Sequence, residues 1–377
     1  MTQARPSMPD AATWLTRRGV CRSMLASLGL PVLMPLTGCG SVPALGGSGG
    51  PTGDGGAAAL LLPLTGSAAA LGQNMGRAAS LVTQGLSAGS GPSVIDTGDT
   101  AAGAAAAAQQ ALDAGAKVLI GPLRADQTPA VLSVAGNVPV ITFSNDDTLG
   151  AQGAFVMGLT PGQSVSTMFS YARAQGAARI ALIAADSPLG SASAAAAARI
   201  AAAGGLTLTA ALLRDPAQGG LVAALRQASG GTLPDAVFLP DGGAPLKTFA
   251  AALRGSGVQM LGSVQWGVSD VTANGNLSGA WFAAPPPDLF LPFADRFEAA
   301  FGEQPGIVAA LGHDAALMAV GLGSARAINR KGVTRSGGFT GVLGAFRFLA
   351  SGRCQRDLSV LGIENGNITV LGEVAGT

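Results

Sequence analysis

The chain has 377 residues, of which 11% are charged, and its net charge is +1. So even a balance provides no basic field to hold nucleic acid. Apolar residues make up 48%, aromatics only 5%, and the length allows two lobes with separate cores.

The chain opens on an arginine-rich segment, with Arg17, Arg18 and Arg22 ahead of the apolar run Met24 to Pro35. That run is too short to span a bilayer core as a helix. Charge, a short apolar run and then small residues is the pattern of an export signal, so residues 1–38 are expected to be a signal peptide. Residues 39–56 are rich in Gly, Ser and Pro and read as a flexible tether. No later segment offers an uninterrupted apolar span long enough to cross a membrane. There are three cysteines. Cys21 would leave with the signal, and Cys354 is then without a partner in the fold and reads as a small buried apolar residue.

After the tether, "AAALLLPLTGS" reads as a buried strand ended by Pro, Gly and Ser. "GQNMGRAASLVTQGL" is a helix and "SVIDTGD" a strand. "TAAGAAAAAQQALDAGA" is a helix, with Thr100 as N-cap and Gly115 as stop. "KVLIGPL" and "VPVITFSND" are strands with the helical "ADQTPAVLSVAG" between them. The rhythm restarts near residues 155–161. "GQSVSTMFSYARAQG", "SASAAAAARIAAAGG", "GLVAALRQAS" and "APLKTFAAALRGSG" are helices, and "ARIALIAAD", "LTLTAALL", "DAVFLPD" and "QMLGSVQW" are strands. Beyond "GAWFAAPPP" come the helices "PFADRFEAAFG" and "IVAALGHDAALMAVGLGSARAI". The strands "GAFRFLASG", "DLSVLGIENG" and "ITVLGEV" close the chain, the last two joined by a hairpin signal at Asn365-Gly366. Alternating strands and helices predict an α/β fold with parallel sheets covered on both faces.

Three resemblances add to this reading. Leu36-Thr37-Gly38-Cys39 resembles the lipobox of bacterial lipoproteins, which implies acylation of Cys39; a soluble signal cut elsewhere is the alternative. Thr16-Arg17-Arg18 partly resembles a twin-arginine signal, leaving the export route open. The ordered series "LLPLTGSAAALGQNMGRAASL", "VLIGPL", "VPVITFSND", "GAWFAAPPP", "FGEQPGIVAALGHDAAL" and "GFTGVLGAFRFLASGRCQRDLSVLGIENG" resembles the type I periplasmic binding proteins of the leucine/isoleucine/valine-binding class. Within that class, "FSND" and "WFAAP" look closest to the lipoproteins grouped as penicillin-binding protein activators. The resemblance implies two Rossmann-like lobes joined by a three-segment hinge. Its crossings are expected near Gly158 to Pro161, Ala283 to Pro287 and Gly337 to Gly341. Lobe one would be 57–160 plus 285–338, and lobe two 161–284 plus 339–377.

Ligands of open α/β sheets bind beyond the carboxyl ends of the strands. Those ends carry Thr65, Ser67, Gly121, Ser144 and Asn145 in lobe one, and Asp186, Asp241 and Trp266 in lobe two. By resemblance, Ser144 and the Gly121 loop stand where amino-acid binders hold the α-carboxylate and ammonium. Each of these side chains also suits plain loop and helix capping. Trp266 is expected at the cleft rim, and Trp281 and Phe282 near a hinge. The sequence departs from amino-acid binders in its tyrosines. It has one, Tyr171, inside a predicted helix; a position that is often tyrosine reads Leu189, and the family's Tyr-Asp-Ala reads His313-Asp314-Ala315.

Enzymatic readings find little support. One histidine offers little acid–base chemistry, no His/Cys cluster suits zinc, and "GGSGG" lacks the strand-turn-helix setting of a nucleophile elbow. No cofactor, metal or catalytic residue is expected. Two functions remain. One is a penicillin-binding protein activator-like regulator of peptidoglycan synthesis. The other is the substrate-binding lipoprotein of an ABC importer, partnered by its permease and taking an amino acid or another small polar solute. Gly40, where aspartate would retain a Gram-negative lipoprotein at the inner membrane, favours the outer membrane. The expected location is therefore the periplasm, with membrane contact through the lipid anchor only. The long amino-terminal helical-repeat domain of well-known activators has no counterpart in these residues.

Overall fold

The structure, a computed structural model, describes residues 57–87, 89–268 and 271–376. The signal, the tether and Cys39 lie outside the described residues. Lobe one is built on a five-stranded, all-parallel sheet in the order β2-β1-β3-β4-β5. Its strands are β1 (Ala58–Leu62), β2 (Ser93–Asp96), β3 (Val118–Ile120), β4 (Val140–Thr142) and β5 (Phe155–Val156). The helices α1 (Ala69–Thr83), α2 (Ala101–Asp113) and α3 (Thr128–Ala135) connect them. β1 is buried throughout because the sheet is covered on both faces. Leu60 and Leu62 join the core that contains Met75 of α1, whereas Ala59 and Leu61 pack with Ala104, Ala108 and Val131 of α2 and α3. Each such leucine contributes about 1.5–3 kcal/mol by leaving water. Thr100 caps α2 as expected, its hydroxyl accepting from the Gly103 N–H at 3.0 Å.

Thr160 then starts α4 (Pro161–Ala174) through a reciprocal capping box with Gln163. Lobe two follows as β6 (Arg179–Ala184), α5 (Pro188–Gly204), β7 (Thr207–Leu213), α6 (Leu221–Ala228), β8 (Ala236–Leu239), α7 (Gly243–Leu253), β9 (Gln259–Gly262) and β10 (Trp281–Ala284). The "QMLGSVQW" strand stops at Gly262 and continues as the 3-10 turn Val264–Val268. A Cβ on Gly262 would collide with the Trp266 ring, so glycine permits the indole to fold back onto the strand end.

The chain returns to lobe one as α8 (Pro287–Phe301) and α9 (Ile307–Ser324), and α9 lies along α1. A Cβ on Gly312 would strike the Met75 backbone, so that glycine sets the closeness of the two helices. α9 corrects one expectation: its 18 residues, with mean hydropathy 1.5, are long and apolar enough to cross a membrane. Two-thirds of this window is buried within the protein, and its apolar character serves a core helix covered on several sides.

The carboxy-terminal part also departs from expectation. Phe339 does not enter lobe two. Strands β11 (Phe339–Gly341), β12 (Gly344–Phe348) and β13 (Cys354–Arg356) form a separate antiparallel sheet. That sheet rests on lobe one: the Phe348 ring lies 5.6 Å from the Phe155 ring, and the Val156 N–H donates to the Gly352 carbonyl at 2.8 Å. The chain joins the lobe-two sheet only at β14 (Leu358–Glu364), which pairs antiparallel with β10, and β15 (Asn367–Val374) follows. The order there is β15-β14-β10-β9-β8-β6-β7. Asn365 and Gly366, with φ of 51° and 77°, make the expected tight hairpin between β14 and β15.

Candidate functional site

The loops at the carboxyl ends of the two sheets hold the residues singled out from the sequence, and most of those residues are engaged with the protein itself. In lobe one, Asp96 ends β2 and Asp99 follows three residues later. The Thr65 hydroxyl donates to Asp96 Oδ2 at 2.6 Å, and the Leu64 and Thr65 N–H groups donate to Oδ1 at 2.9 and 3.2 Å. The Ser67 hydroxyl donates to Asp99 Oδ2 at 2.5 Å, joined by the Ala68 N–H at 3.0 Å. Gln127 Nε2 donates to Asp99 Oδ1 at 3.1 Å. Burial pushes the Asp96 carboxyl up, but the Thr65 hydroxyl, the Leu64 and Thr65 N–H groups and the Gly98 N–H, which donates to Oδ1 at 2.9 Å, outweigh that effect and hold it below the usual range. For Asp99 the Ser67 hydroxyl is the leading cause of a similarly lowered value. Thr65 and Ser67 thus spend their protons on two aspartates rather than pointing them at a ligand carboxylate. The signal was present as "DTGD" after a predicted strand, but nothing in the spacing says which loop it serves.

Gly121, with φ of +132°, packs so tightly on β1 that a Cβ would strike the Leu61 backbone. The Thr142 hydroxyl donates to the neighbouring Pro122 carbonyl at 3.1 Å, which brings the Gly121 loop beside the end of β4. Ser144 is buried there. Its Oγ accepts the Asp146 N–H at 3.1 Å, a turn-capping contact. Asn145 is exposed. The next aspartate, Asp147, leads a 3-10 turn, and burial raises its carboxyl above the usual value against the Thr160 hydroxyl and the charges of Arg353 and Arg199.

In lobe two, Asp186 is exposed, and Ser187 caps α5 by accepting from the Gly190 N–H at 3.1 Å. Asp241 is turned inward, 6% exposed, and accepts the Ala185 N–H at 2.8 Å. Burial raises its carboxyl. It therefore ties the loop after β8 to the loop after β6. Trp266 does not stand at a rim. It is fully buried, donates from Nε1 to the Leu239 carbonyl at 3.0 Å and stacks on Phe282 at 5.8 Å. An indole that finds both a carbonyl and a ring inside the lobe has no reason to face water. Tyr171 packs edge-on against Trp281 at 5.2 Å. Among the described residues no aromatic side chain is exposed.

His313 and Asp314, read from the sequence only as a departure from Tyr-Asp, lie at the base of the hinge. Asp314 is completely buried and accepts the Val342 and Leu343 N–H groups at 2.7 and 3.3 Å. Arg356 Nη1 lies 3.4 Å from Asp314 Oδ2, Nη2 donates to the Met157 carbonyl at 3.3 Å, and the guanidinium sits 4.6 Å over the Phe346 ring.

Two α/β lobes, one on a parallel sheet and one on a mostly parallel sheet with an antiparallel edge, three chain crossings and polar loops at the carboxyl ends of the strands define a two-lobed binding protein of the periplasmic type. The chain belongs to the periplasmic binding protein family, whose model matches residues 57–367. No curated protein sequence matches it at a significant level. Among solved structures it is similar to a protein from Rhodospirillum rubrum assigned to branched-chain amino acid ABC transport, at 21% identity and TM-score 0.73, over 84% of this chain and all of that one. It is similar to the LpoA C-domain from Haemophilus influenzae, a regulator of PBP1A, at 17% identity and TM-score 0.66, over 83% and 99%. A solute-binding protein of an ABC transporter from R. palustris, in complex with benzoate, matches at 20% identity and TM-score 0.58, over 85% and 96%. At such identities these likenesses show the fold alone. The family and these neighbours are binding proteins and regulators, and family membership implies a periplasmic location.

Proposed function

We propose that the protein is a non-enzymatic envelope lipoprotein that regulates peptidoglycan synthesis by contact with a penicillin-binding protein. Cys39 carries the lipid anchor, and in a Gram-negative envelope the anchor holds the protein at the outer membrane. The observation that carries this reading is the commitment of Thr65 and Ser67 to Asp96 and Asp99. A receptor for free amino acids needs donors for the α-carboxylate, because a buried charge without partners is costly. Here the donors of the first strand end are already paired with acids. The buried Trp266 and the inward Asp241 further reduce what the cleft offers a zwitterion.

The test is direct binding of the purified protein to the penicillin-binding proteins of its own organism, by surface plasmon resonance, together with a glycan-polymerisation assay. The expected result is saturable binding to at least one synthase and a changed polymerisation rate. Absence of binding to every synthase, with tight binding of a small solute, would instead assign the protein to an ABC importer.

A further inference from the structure

Between Ala315 and Arg356 the chain carries no Asp or Glu, although its overall charge is only +1. Arg356 is turned inward to Asp314, but Arg326, Arg330, Lys331, Arg335, Arg347 and Arg353 in the same stretch are exposed or half-buried. The fold brings four of these together. Arg330 and Lys331 lie on the short helix α10 (Arg330–Val333), and Arg335 on the turn that continues it, its N–H donating to the Gly332 carbonyl at 3.3 Å. Arg335 Nε donates to the Gly338 carbonyl at 2.7 Å. Phe339 of β11 pairs with Phe346 of β12, so Gly338 stands opposite Arg347 at the next position of the ladder. Arg347 lies between the buried Phe346 and Phe348 and so points away from the core, where its Nε donates to Gln355 Oε1 of β13 at 2.5 Å. Phe155, Phe348, Phe346 and Phe339 form a row of rings with successive centroids 5.6, 5.9 and 5.3 Å apart. The Arg330 guanidinium lies 4.9 Å over the first ring of that row, and the Arg335 guanidinium 4.0 Å over the last.

We propose that this basic face, from α10 to the outer side of the small sheet, docks an acidic segment of a partner protein through its carboxylates. This deepens the regulator reading and rests on it for the presence of a protein partner. Arg335 and Arg347 each spend only Nε on the protein, and among the described residues their Nη groups have no hydrogen-bond or ion-pair partner. A guanidinium anchored by Nε presents its two Nη groups as a fork that matches a carboxylate. Stacking on Phe155 and Phe339 holds Arg330 and Arg335 in place before a partner arrives, so less side-chain freedom is lost on binding. The face lacks what other polyanions need. Its phenylalanines are buried, which leaves sugars and bases no ring to stack on. No large apolar side chain is exposed between residues 326 and 356, so the face offers a bilayer no apolar wedge. A run of Asp and Glu side chains asks only for the charge and the forks.

Calorimetry at low salt with a peptide of alternating glutamate and serine tests the face. The wild type is expected to bind it, more weakly as salt is raised, and not to bind the glutamine–serine analogue. Lys331→Gln and Arg347→Gln, both at exposed positions, should each weaken binding roughly two- to fivefold. Arg226→Gln, which removes an exposed charge from α6 of lobe two, should have no effect. The double variant Lys331→Gln/Arg347→Gln should also lose affinity for the synthase that the wild type binds. Equal peptide binding by the wild type and the double variant overturns the face, as does an equal loss in Arg226→Gln. Binding of phosphatidylglycerol vesicles or of purified peptidoglycan in place of the peptide also overturns it. A synthase bound equally by the wild type and the double variant overturns the face and leaves the regulator reading standing. If no synthase binds while the peptide is still held through Lys331 and Arg347, the regulator reading fails and the face is upheld.

Discussion

Asp314 and Arg356 face each other inside the hinge region with no exposed side-chain surface, Arg356 Nη1 lying 3.4 Å from Asp314 Oδ2. The pair couples α9 to the small sheet, and through the Met157 carbonyl to the first crossing. A Cβ on Gly341 would strike the Asp314 carboxylate, so the strand is shaped to admit this charge. Removing one partner leaves the other charged and buried, which costs about 3–5 kcal/mol. Asp314→Ala and Arg356→Met should each lower unfolding free energy by about that amount in urea titrations, and the double variant by less than the two together. A loss below about 1 kcal/mol for either single change would show the pair to be incidental.

The aspartates at the strand ends predict opposite pH dependences. Burial raises Asp241, so the folded state holds its proton at pH values where the unfolded chain, near 3.8, has lost it. Stability from this group is greatest below the unfolded value and falls as pH rises through the folded one. Asp241→Asn, which can still accept the Ala185 N–H, should therefore raise the urea midpoint at pH 7 and leave it unchanged at pH 3. A lower midpoint at pH 7 would contradict the sign.

Asp96 behaves the other way. Its donors hold the folded value below 3.8, so its contribution is present above that value and lost as pH falls through the folded one. Asp96→Asn should lower the midpoint at pH 7 and have no effect below the folded value. Thr65→Val, which removes the 2.6 Å donor, should act in the same direction and cost about 0.5–1.5 kcal/mol. Equal stability of Thr65→Val and wild type at pH 7 would mean that the hydroxyl is free for a ligand.

Cys39→Ser should release the protein from membranes or block its processing, if the lipobox-like tetrad is acylated. Membrane fractionation with intact-mass measurement reads this. Unchanged fractionation of the variant, with no acyl mass on the wild type, contradicts the anchor.

Most of the fold was legible because strand runs such as "ALLL" and "AVFL" are bounded by Gly, Pro and Asp, and because helices start on residues such as Thr100 and Thr160 whose caps are local. The small sheet was not, since Phe339–Arg356 is held by contacts with Phe155 and Val156 nearly two hundred residues away. The candidate site was legible only as a set of strand ends. That Thr65 binds Asp96, that Asp241 turns inward and that Trp266 is covered by Phe282 are tertiary facts. Asp314 looked like an altered ligand motif and is instead a buried partner of Arg356, a residue with no sequence signal of its own.

The central claim is that this cleft is not furnished for free branched-chain amino acids. Calorimetry on delipidated protein, first stripped of any copurified ligand, tests it most directly. The account predicts dissociation constants above about 100 μM for leucine, isoleucine and valine, less than roughly 5.5 kcal/mol of binding. Micromolar or tighter binding of any of the three would contradict it and assign the protein to an importer.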